Sequence, residues 1–470
     1  MTSHVGDVTD LVAAAVTSEE LVSGLLELAD GGRLRDVVWL FLALLHDELP
    51  HSEEVARTAR QLRLDGAASV LEATLGSREQ PLPAGLGNRV VAGATLVDLH
   101  HTSTSGIRTG IQRVTIETVC RWSSRAGVRL VGWHEDLSQL RDLTTEEHAS
   151  FGLTSPGEPA AVLVPWHCAY LLPEVIDDRV RSARLAAMGK AGVVTFGAVA
   201  YDLIPVTGAE TTSRGVPSTF ASHLSVVKRA SRVAAISSAA ANEYVGFREM
   251  LAGQGLTGPE VCTVPLPVES VEVTSQDLVE TEQSLDLQGR PLVLCVGTHE
   301  PRKNHLAVLH ACEVLWRQGH DFVLGFIGSE GWKSAEFFAT ANALALRGRP
   351  VRVVSKAPEA FLWSAYRLAR LVVFPSLHEG FGLPVAEAFA CGTPVVTSDL
   401  GSLRELAEPG GALLVDPHDD AALAHAVARL LSDDALHAQL VTEARARPLR
   451  SWDDYADEAW AALTGDPACG

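Results

Sequence analysis

Short apolar runs alternate with helix-forming stretches from residue 95 onward, and this alternation limits the possible folds more than any other feature of the chain. Strands and helices that alternate in this way form parallel sheets with helices on both faces. A first series of candidate strands comprises residues 95–99, 128–133, 160–165, 193–200, 232–236 and 261–264. A second series comprises residues 291–297, 322–327, 351–354, 371–374, 394–397 and 412–415. The sequence therefore predicts an α/β protein with two Rossmann-like domains that face a cleft.

The first part of the chain has a different pattern. Between residues 9 and 75, Leu, Val and Ala recur at every third or fourth position, with polar breaks between the runs. This spacing predicts three or four helices in a small separate unit. A Pro- and Gly-rich stretch at 77–87 predicts a linker, and the carboxylate-rich stretch at 269–289 predicts a second boundary. The expected division is a helical N-terminal unit at 1–85, Rossmann-like domains at 90–275 and 285–450, and a C-terminal helix and tail at 451–470.

Composition excludes several classes of protein. The hydrophobic share of 47% argues against disorder, and a formal net charge of -20 disfavours nonspecific binding to nucleic acid. The scattered cysteines form no C-x-x-C pair, which predicts reduced thiols in a cytoplasmic protein. The longest apolar run, residues 37–45, is too short to cross a bilayer, and residues 1–10 lack a basic signal region. Peripheral contact with a membrane through a helix is the alternative that composition leaves.

The most informative segment is residues 374–396, whose pattern runs strand, glycine loop, helix, strand. Its glycines allow close approach to a ligand, and Pro384 suits the first turn of a helix. Free backbone N–H groups and a positive helix end would meet at this loop, which predicts an anion site. Glu379 precedes the helix and Glu387 lies inside it, an arrangement that suits a sugar or ribose. The alternative is a simple turn followed by a carboxylate that the helix dipole favours.

This segment resembles the retaining GT-B glycosyltransferases of family 4 (group 1), whose hallmark is two glutamates with the spacing of Glu379 and Glu387. The resemblance implies that Glu379 lies beside the donor sugar and acts in catalysis, and that Glu387 bonds the nucleotide ribose. It also implies that the backbone amides of Phe381, Gly382 and Leu383 contact the donor diphosphate and sugar.

A second glycine loop, G-T-H-E-P-R-K-N, follows the first strand of the C-terminal series. Two adjacent cations suit a diphosphate, because Arg grips it as a fork and Lys as a point charge; a solvated basic turn is the alternative. The loop resembles the E-P-R-K-N phosphate loop of family 4, which implies catalytic roles for Arg302 and Lys303 and donor contacts for Gly297 and Thr298. Many family members have Arg at the position of Thr298. His299 could face the ligand or pack.

The N-terminal series contains two weaker signals. The loop at 106–114 includes T-G-I-Q-R-V and resembles a subgroup of family 4 that includes mannosyl- and rhamnosyltransferases, which implies that Gly110 faces the donor phosphates. Tyr201 and Asp202 begin a segment that resembles the family's H-D-L-I-P, with Tyr201 in place of the histidine that contacts the sugar. Tyr201 could bond a sugar hydroxyl or pack in the core. Residues 450–463 resemble the family's closing S-W helix, which often crosses back to the N-terminal domain; a surface helix is the alternative.

The resemblance implies a retaining transferase that moves a hexose from a nucleotide sugar to a saccharide or lipid-linked acceptor. GDP-mannose is favoured solely by the T-G-I-Q-R-V likeness. No D-x-D triplet follows a strand, so neither a metal nor another cofactor is expected. The alternatives are another GT-B enzyme, such as a nucleotide-sugar epimerase or a phosphorylase, and a catalytically silent nucleotide-sugar-binding module. The N-terminal helices could serve oligomerisation, a partner or the acceptor, or form an inert cap.

Overall fold

The computed structural model describes residues 17–30, 34–76, 84–106, 109–155, 157–448 and 450–465, together with residues 8, 10–12, 14, 15 and 82. Most of the linker expected at 77–87 lies outside the described residues, as do Ile107 and Arg108 of the N-terminal glycine loop and Cys469.

Helices precede the first sheet, as the sequence predicts. They are α1 (Ser18–Asp30), α2 (Arg35–His46) and α3 (Ser52–Gly76), the last with a break at Gly66. The run from Val37 to Leu45 in α2 is buried on every side, because α2 lies between the other helices and the domain that follows. Its side chains join the apolar core of that domain. The helical region therefore shares its core with the first Rossmann-like domain.

The first Rossmann-like domain contains nine strands among its described residues: β1 (Val90–Ala92), β2 (Thr95–Asp98), β3 (Val128–Trp133), β4 (Leu140–Asp142), β5 (Val164–Trp166), β6 (Cys168–Leu172), β7 (Val194–Ala200), β8 (Arg232–Ala235) and β9 (Glu260–Thr263). Its helices are α4 (His100–Thr104), α5 (Gly110–Trp122), α6 (Thr145–Ser150), α7 (Arg179–Ala191), α8 (Ile204–Thr207), α9 (Val216–Val227) and α10 (Ser238–Ala252). The main sheet has the order β4-β3-β2-β6-β7-β8-β9, and its neighbouring strands are parallel except β3 and β4. This order confirms a Rossmann-like domain.

One strand prediction in this domain is wrong. Only residues 164 and 165 of the strand expected at 160–165 lie in a strand, β5, which pairs with β1 outside the main sheet. The strand that enters the centre of the main sheet is β6, which was not among the candidate strands. His167 lies between β5 and β6 with a φ of 48°, so the chain turns at this residue and β6 runs in a new direction.

The second Rossmann-like domain contains β10 (Leu292–Val296), β11 (Val323–Ile327), β12 (Val351–Val354), β13 (Ala369–Phe374), β14 (Val395–Ser398) and β15 (Ala412–Val415). Its helices are α11 (Ser275–Ser284), α12 (His305–Arg317), α13 (Ala335–Leu346), α14 (Glu359–Leu368), α15 (Leu383–Ala390), α16 (Gly401–Ala407), α17 (Asp420–Ser432) and α18 (Asp434–Arg445). All strands are parallel in the order β12-β11-β10-β13-β14-β15, and each was predicted. The order reverses between β10 and β13, where ligands of such sheets bind.

The last helix, α19 (Trp452–Thr464), crosses back to the first Rossmann-like domain. It packs on α5, β7 and β8 and contributes buried side chains to that domain's core. The indole N–H of Trp122 in α5 donates to the carbonyl of Ala456 at 2.8 Å, and the rings of Trp122 and Trp460 meet edge to face. The chain therefore links the two domains twice.

Candidate functional site

The loops that follow β10 and β13 lie side by side at the switch point of the second sheet. The first loop ends in a 3-10 turn, Pro301–Lys303, and the second leads into α15. The backbone N–H of Leu377 donates to the carbonyl of Arg302 at 2.9 Å, and the Arg302 guanidinium donates to the carbonyl of His378 at 2.5 Å. These bonds join the two motifs of the sequence into one structure.

Glu379 is the centre of this structure. Its Oε1 lies 2.7 Å from Lys303 Nζ and 2.8 Å from Arg302 Nη1, and it accepts a hydrogen bond from Ser376 Oγ at 2.6 Å. Burial alone would raise the pKa of Glu379, but Arg302 and Lys303 outweigh it and lower this pKa to about 2. The site therefore holds an ionised carboxylate next to two fixed cations.

The glycine loop before α15 has the predicted geometry. Gly382 has a φ of 105°, a backbone conformation that favours glycine, and a Cβ there would lie 2.6 Å from Leu403 Cδ2. Leu383 begins the helix and Pro384 lies in its first turn, while the ring of Phe381 is buried against the first domain's core. The first N–H groups of a helix have no helical acceptor, so they are available to an anion.

A second helix approaches this loop from the opposite domain. Helix α5 begins at Gly110, and a Cβ on Gly110 would lie 3.4 Å from Leu383 Cδ1. Gln112 Oε1 accepts the backbone N–H of Thr109 at 3.2 Å and so caps the start of α5. The positive ends of α5 and α15 thus converge on the same region of the cleft.

Glu387 lies buried in α15 and has a partner from each domain. Arg113 of α5 donates to Glu387 Oε1 at 2.7 Å, and the Tyr366 hydroxyl of α14 donates to Oε2 at 2.8 Å. Burial raises the pKa of Glu387 although Arg113 and Tyr366 oppose it. The sequence analysis missed both partners. Arg113 belongs to the T-G-I-Q-R-V motif, one helical turn after Gly110, and this spacing was the available signal; Tyr366 had none.

The structure separates the neighbours Tyr201 and Asp202. Tyr201 is 4% exposed and its hydroxyl donates to the carbonyl of Pro173 at 2.6 Å, inside its own domain. The expectation that Tyr201 contacts the donor sugar is therefore corrected, because this hydroxyl does not face the cleft. Asp202 does reach the site, since a Cβ on Gly380 would lie 2.7 Å from its Oδ2. Burial raises the pKa of Asp202 to about 6, reinforced by Glu243 and opposed by Arg302.

His299 packs, as one of the two interpretations expected. Its ring is fully buried, stacks on Phe337 with centroids 4.4 Å apart, and places Nδ1 3.2 Å from His305 Nδ1. Burial lowers the pKa of His299 to about 4, so the ring is neutral at neutral pH. Thr298 and Gly297 begin the same loop, and the Thr298 methyl group faces Gly331, where a Cβ would lie 2.8 Å away.

Further contacts hold the two domains together beside the site. Glu243 of α10 lies 2.6 Å from His378 Nε2, and Ser237 Oγ donates to the carbonyl of Gly380 at 2.6 Å. The backbone N–H groups of Ser238 and Ala239, at the start of α10, donate to Glu405 of α16 at 3.0 and 3.1 Å. The sequence patterns contained no signal for these pairs, which join residues far apart in the chain.

Two further findings concern the described residues alone. They contain no group of three His, Cys, Asp or Glu side chains placed to hold a metal ion. Their helices are too short or too polar for any of them to cross a membrane.

Comparisons with known proteins agree with this architecture. Residues 279–447, which include both loops of the site, match the family model described as Glycosyl transferases group 1. The structure superposes on sucrose-phosphate synthase from Thermosynechococcus elongatus with a TM-score of 0.56 and 18% identity, covering 79% of this chain and 98% of that one. The Anabaena Alr3699/HepE structure, in complex with UDP and glucose, gives a TM-score of 0.57 with 15% identity, covering 79% of this chain and 100% of that one. The chain has the GT-B fold.

The family match applies to residues 279–447, and the likeness to the solved structures shows the fold. Among curated relatives, O-antigen chain mannosyltransferase B of Escherichia coli is 35% identical over 156 residues, 33% of this chain and 40% of that protein. The D-inositol 3-phosphate glycosyltransferase of Xylanimonas cellulosilytica is 36% identical over 203 residues, 42% of this chain and 48% of that protein. The chain thus spans less than half the length of both relatives.

Proposed function

We propose that this protein is a retaining glycosyltransferase of family 4 that transfers a hexose from a nucleotide sugar to a saccharide or lipid-linked acceptor. The observation that carries the proposal is the convergence of Arg302, Lys303 and Glu379 with the N-terminal ends of α5 and α15 at one point of the cleft. The T-G-I-Q-R-V likeness makes GDP-mannose the first donor to test, and the name of the mannosyltransferase among the relatives also favours mannose as the sugar.

Arg302 and Lys303 would hold the donor diphosphate. Each charge-assisted hydrogen bond contributes about 1.5–3 kcal/mol, so two or three of them can stabilise a departing nucleoside diphosphate. The backbone amides of Phe381, Gly382 and Leu383 would add neutral donors at the start of α15, with Gly110, Gly297, Thr298 and Asp202 lining the same pocket. These groups suffice for a transfer that needs no metal. A strong requirement for magnesium, abolished by chelator, would contradict metal independence.

Glu379 would lie beside the donor sugar. Because two cations and Ser376 already engage its Oε1, this carboxylate is a weak nucleophile and suits hydrogen bonding to the sugar and electrostatic stabilisation of an oxocarbenium-like state. The reaction would then proceed on one face of the sugar, with the leaving phosphate accepting the proton of the acceptor hydroxyl. This course retains the anomeric configuration, and an inverted product anomer would contradict it.

The test is nucleoside diphosphate release from GDP-mannose, UDP-glucose, UDP-N-acetylglucosamine and dTDP-rhamnose, with and without chelator. We expect release from one donor in the unmodified protein, loss of release in Glu379→Ala with nucleotide affinity nearly unchanged, and weaker nucleotide binding in Lys303→Ala. Glu408→Ala, an exposed glutamate just after α16, is the matched control and should leave both properties unchanged. No nucleotide binding by the unmodified protein would refute the proposal.

A further inference from the structure

Arg113 and Glu387 form a partly buried contact between the two domains, at a distance of 2.7 Å. The Glu387 side chain is only 7% exposed, whereas that of Arg113 is 32% exposed and borders the cleft. Tyr366 approaches the other oxygen of the same carboxylate from α14. Each oxygen therefore has one partner and keeps one lone pair for a ligand.

The surroundings of Glu387 disfavour its ionised form, and Arg113 opposes this effect. Burial and the nearby Glu359 of α14 both disfavour the ionised form of Glu387, and its field reaches the Cys391 thiol just after α15. Tyr366 supplies a neutral hydrogen bond. Within the described part of the chain, Arg113 is the cation in hydrogen-bonding contact with this carboxylate. Removing its charge would leave Glu387 buried without a counter-ion, and a buried carboxyl in that state tends to take up a proton.

The first turn of α5 explains why Arg113 makes this contact. The Gln112 side chain accepts the backbone N–H of Thr109 and so caps α5. Gly110 lies against Leu383, which brings α5 and α15 together. Val114 and Thr115 are buried inside their own domain. Arg113 is thus the side chain of this turn that bridges to Glu387.

We propose that Arg113 is a positioning residue that sets the ribose selectivity of the donor site, by fixing the carboxylate of Glu387 from across the cleft so that it accepts hydrogen bonds from ribose hydroxyls. This inference rests on the proposed function and on the role that the family 4 resemblance implies for Glu387, which is to bond the nucleotide ribose. An ionised carboxylate accepts from a hydroxyl strongly, whereas a protonated one must donate its own hydrogen or accept weakly. Loss of the Arg113 charge would therefore weaken binding of ribonucleotides more than that of 2′-deoxyribonucleotides.

The experiment measures equilibrium binding of GDP, UDP and their 2′-deoxy counterparts to the unmodified protein and to Arg113→Gln, Arg113→Lys and Glu387→Gln. We expect the unmodified protein to prefer the ribonucleotide by about tenfold or more, the effect of one hydrogen bond to a charged group. Arg113→Gln and Glu387→Gln should lose most of this preference while binding of the 2′-deoxynucleotide changes little. Arg113→Lys should keep it, because it retains the charge.

The pH profile separates this role from a merely structural one. The ribose preference should depend less on pH in the unmodified protein than in Arg113→Gln, in which it should rise with pH as Glu387 loses its proton. Equal weakening of ribo- and 2′-deoxynucleotides in Arg113→Gln, or an unchanged preference, would overturn the inference and leave the proposed function intact. Failure of every nucleotide to bind the unmodified protein would refute the proposed function itself.

Discussion

Glu379 shows how one buried carboxylate is kept ionised by its neighbours, and this has a measurable consequence for stability. Its pKa is lowered to about 2, which corresponds to about 3 kcal/mol of stability at neutral pH. Because the folded-state pKa lies below the unfolded one, this contribution is present above about pH 4.5 and is lost as the pH falls toward about 2.

We therefore expect Glu379→Gln to unfold at lower urea concentration than the unmodified protein at neutral pH, with the difference shrinking as the pH is lowered below about 4.5. Urea titrations followed by circular dichroism at several pH values check this. Glu408→Ala, which removes an exposed carboxylate, should show no such narrowing. A difference that stays constant with pH would mean that packing, and not charge, determines the cost.

The helix α19 illustrates, at the scale of elements, how a segment stabilises a domain far from it in sequence. Trp452 is 3% exposed and its ring meets that of Tyr455 edge to face, within the core of the first Rossmann-like domain. We expect Trp452→Ala to cost about 3–5 kcal/mol of unfolding free energy. Asp453→Ala, which removes an exposed ion pair with Arg121, should cost less than about 1 kcal/mol.

Amide hydrogen exchange shows which elements the Trp452→Ala substitution destabilises. In Trp452→Ala, exchange should increase in α5 and β8, on which α19 packs, while the strands of the second sheet stay protected. An increase confined to β10–β15 would contradict the placement of α19 with the first domain.

The elements that could be predicted from the sequence are those whose signal lies within a short stretch of residues. The strands of the second sheet are continuous apolar runs that end at glycine, proline or polar residues, and the glycine loops follow them directly. Strand β6 was missed because its boundary depends on the backbone turn at His167 and not on a change in polarity. Likewise, the hydroxyl of Tyr201 and the guanidinium of Arg113 find partners that no periodicity encodes, since pairing between distant residues is decided by tertiary packing.

At the scale of the whole molecule, contacts across the cleft hold the two domains together. His378 and Glu243 pair across the cleft, and this partner raises the pKa of His378 while burial opposes it. Asp202 also raises this pKa and Arg302 lowers it. Since the folded-state pKa of His378 is raised, the charged pair stabilises the closed arrangement at lower pH and is lost as the pH rises through that pKa. Glu405 of α16, which accepts the N–H groups at the start of α10, forms a second contact between the domains that does not depend on histidine.

We therefore expect the molecule to open over a pH range that begins above about 6.5, the ordinary pKa of histidine, because the pKa of His378 is raised. Small-angle X-ray scattering should record an increase in the radius of gyration over this range. His378→Gln, which keeps a hydrogen-bonding group but carries no charge, should remove the pH dependence of the radius of gyration. Glu405→Ala should increase the radius of gyration at every pH and leave its pH dependence in place. A radius of gyration that responds to pH equally in His378→Gln would show that another group controls the closure.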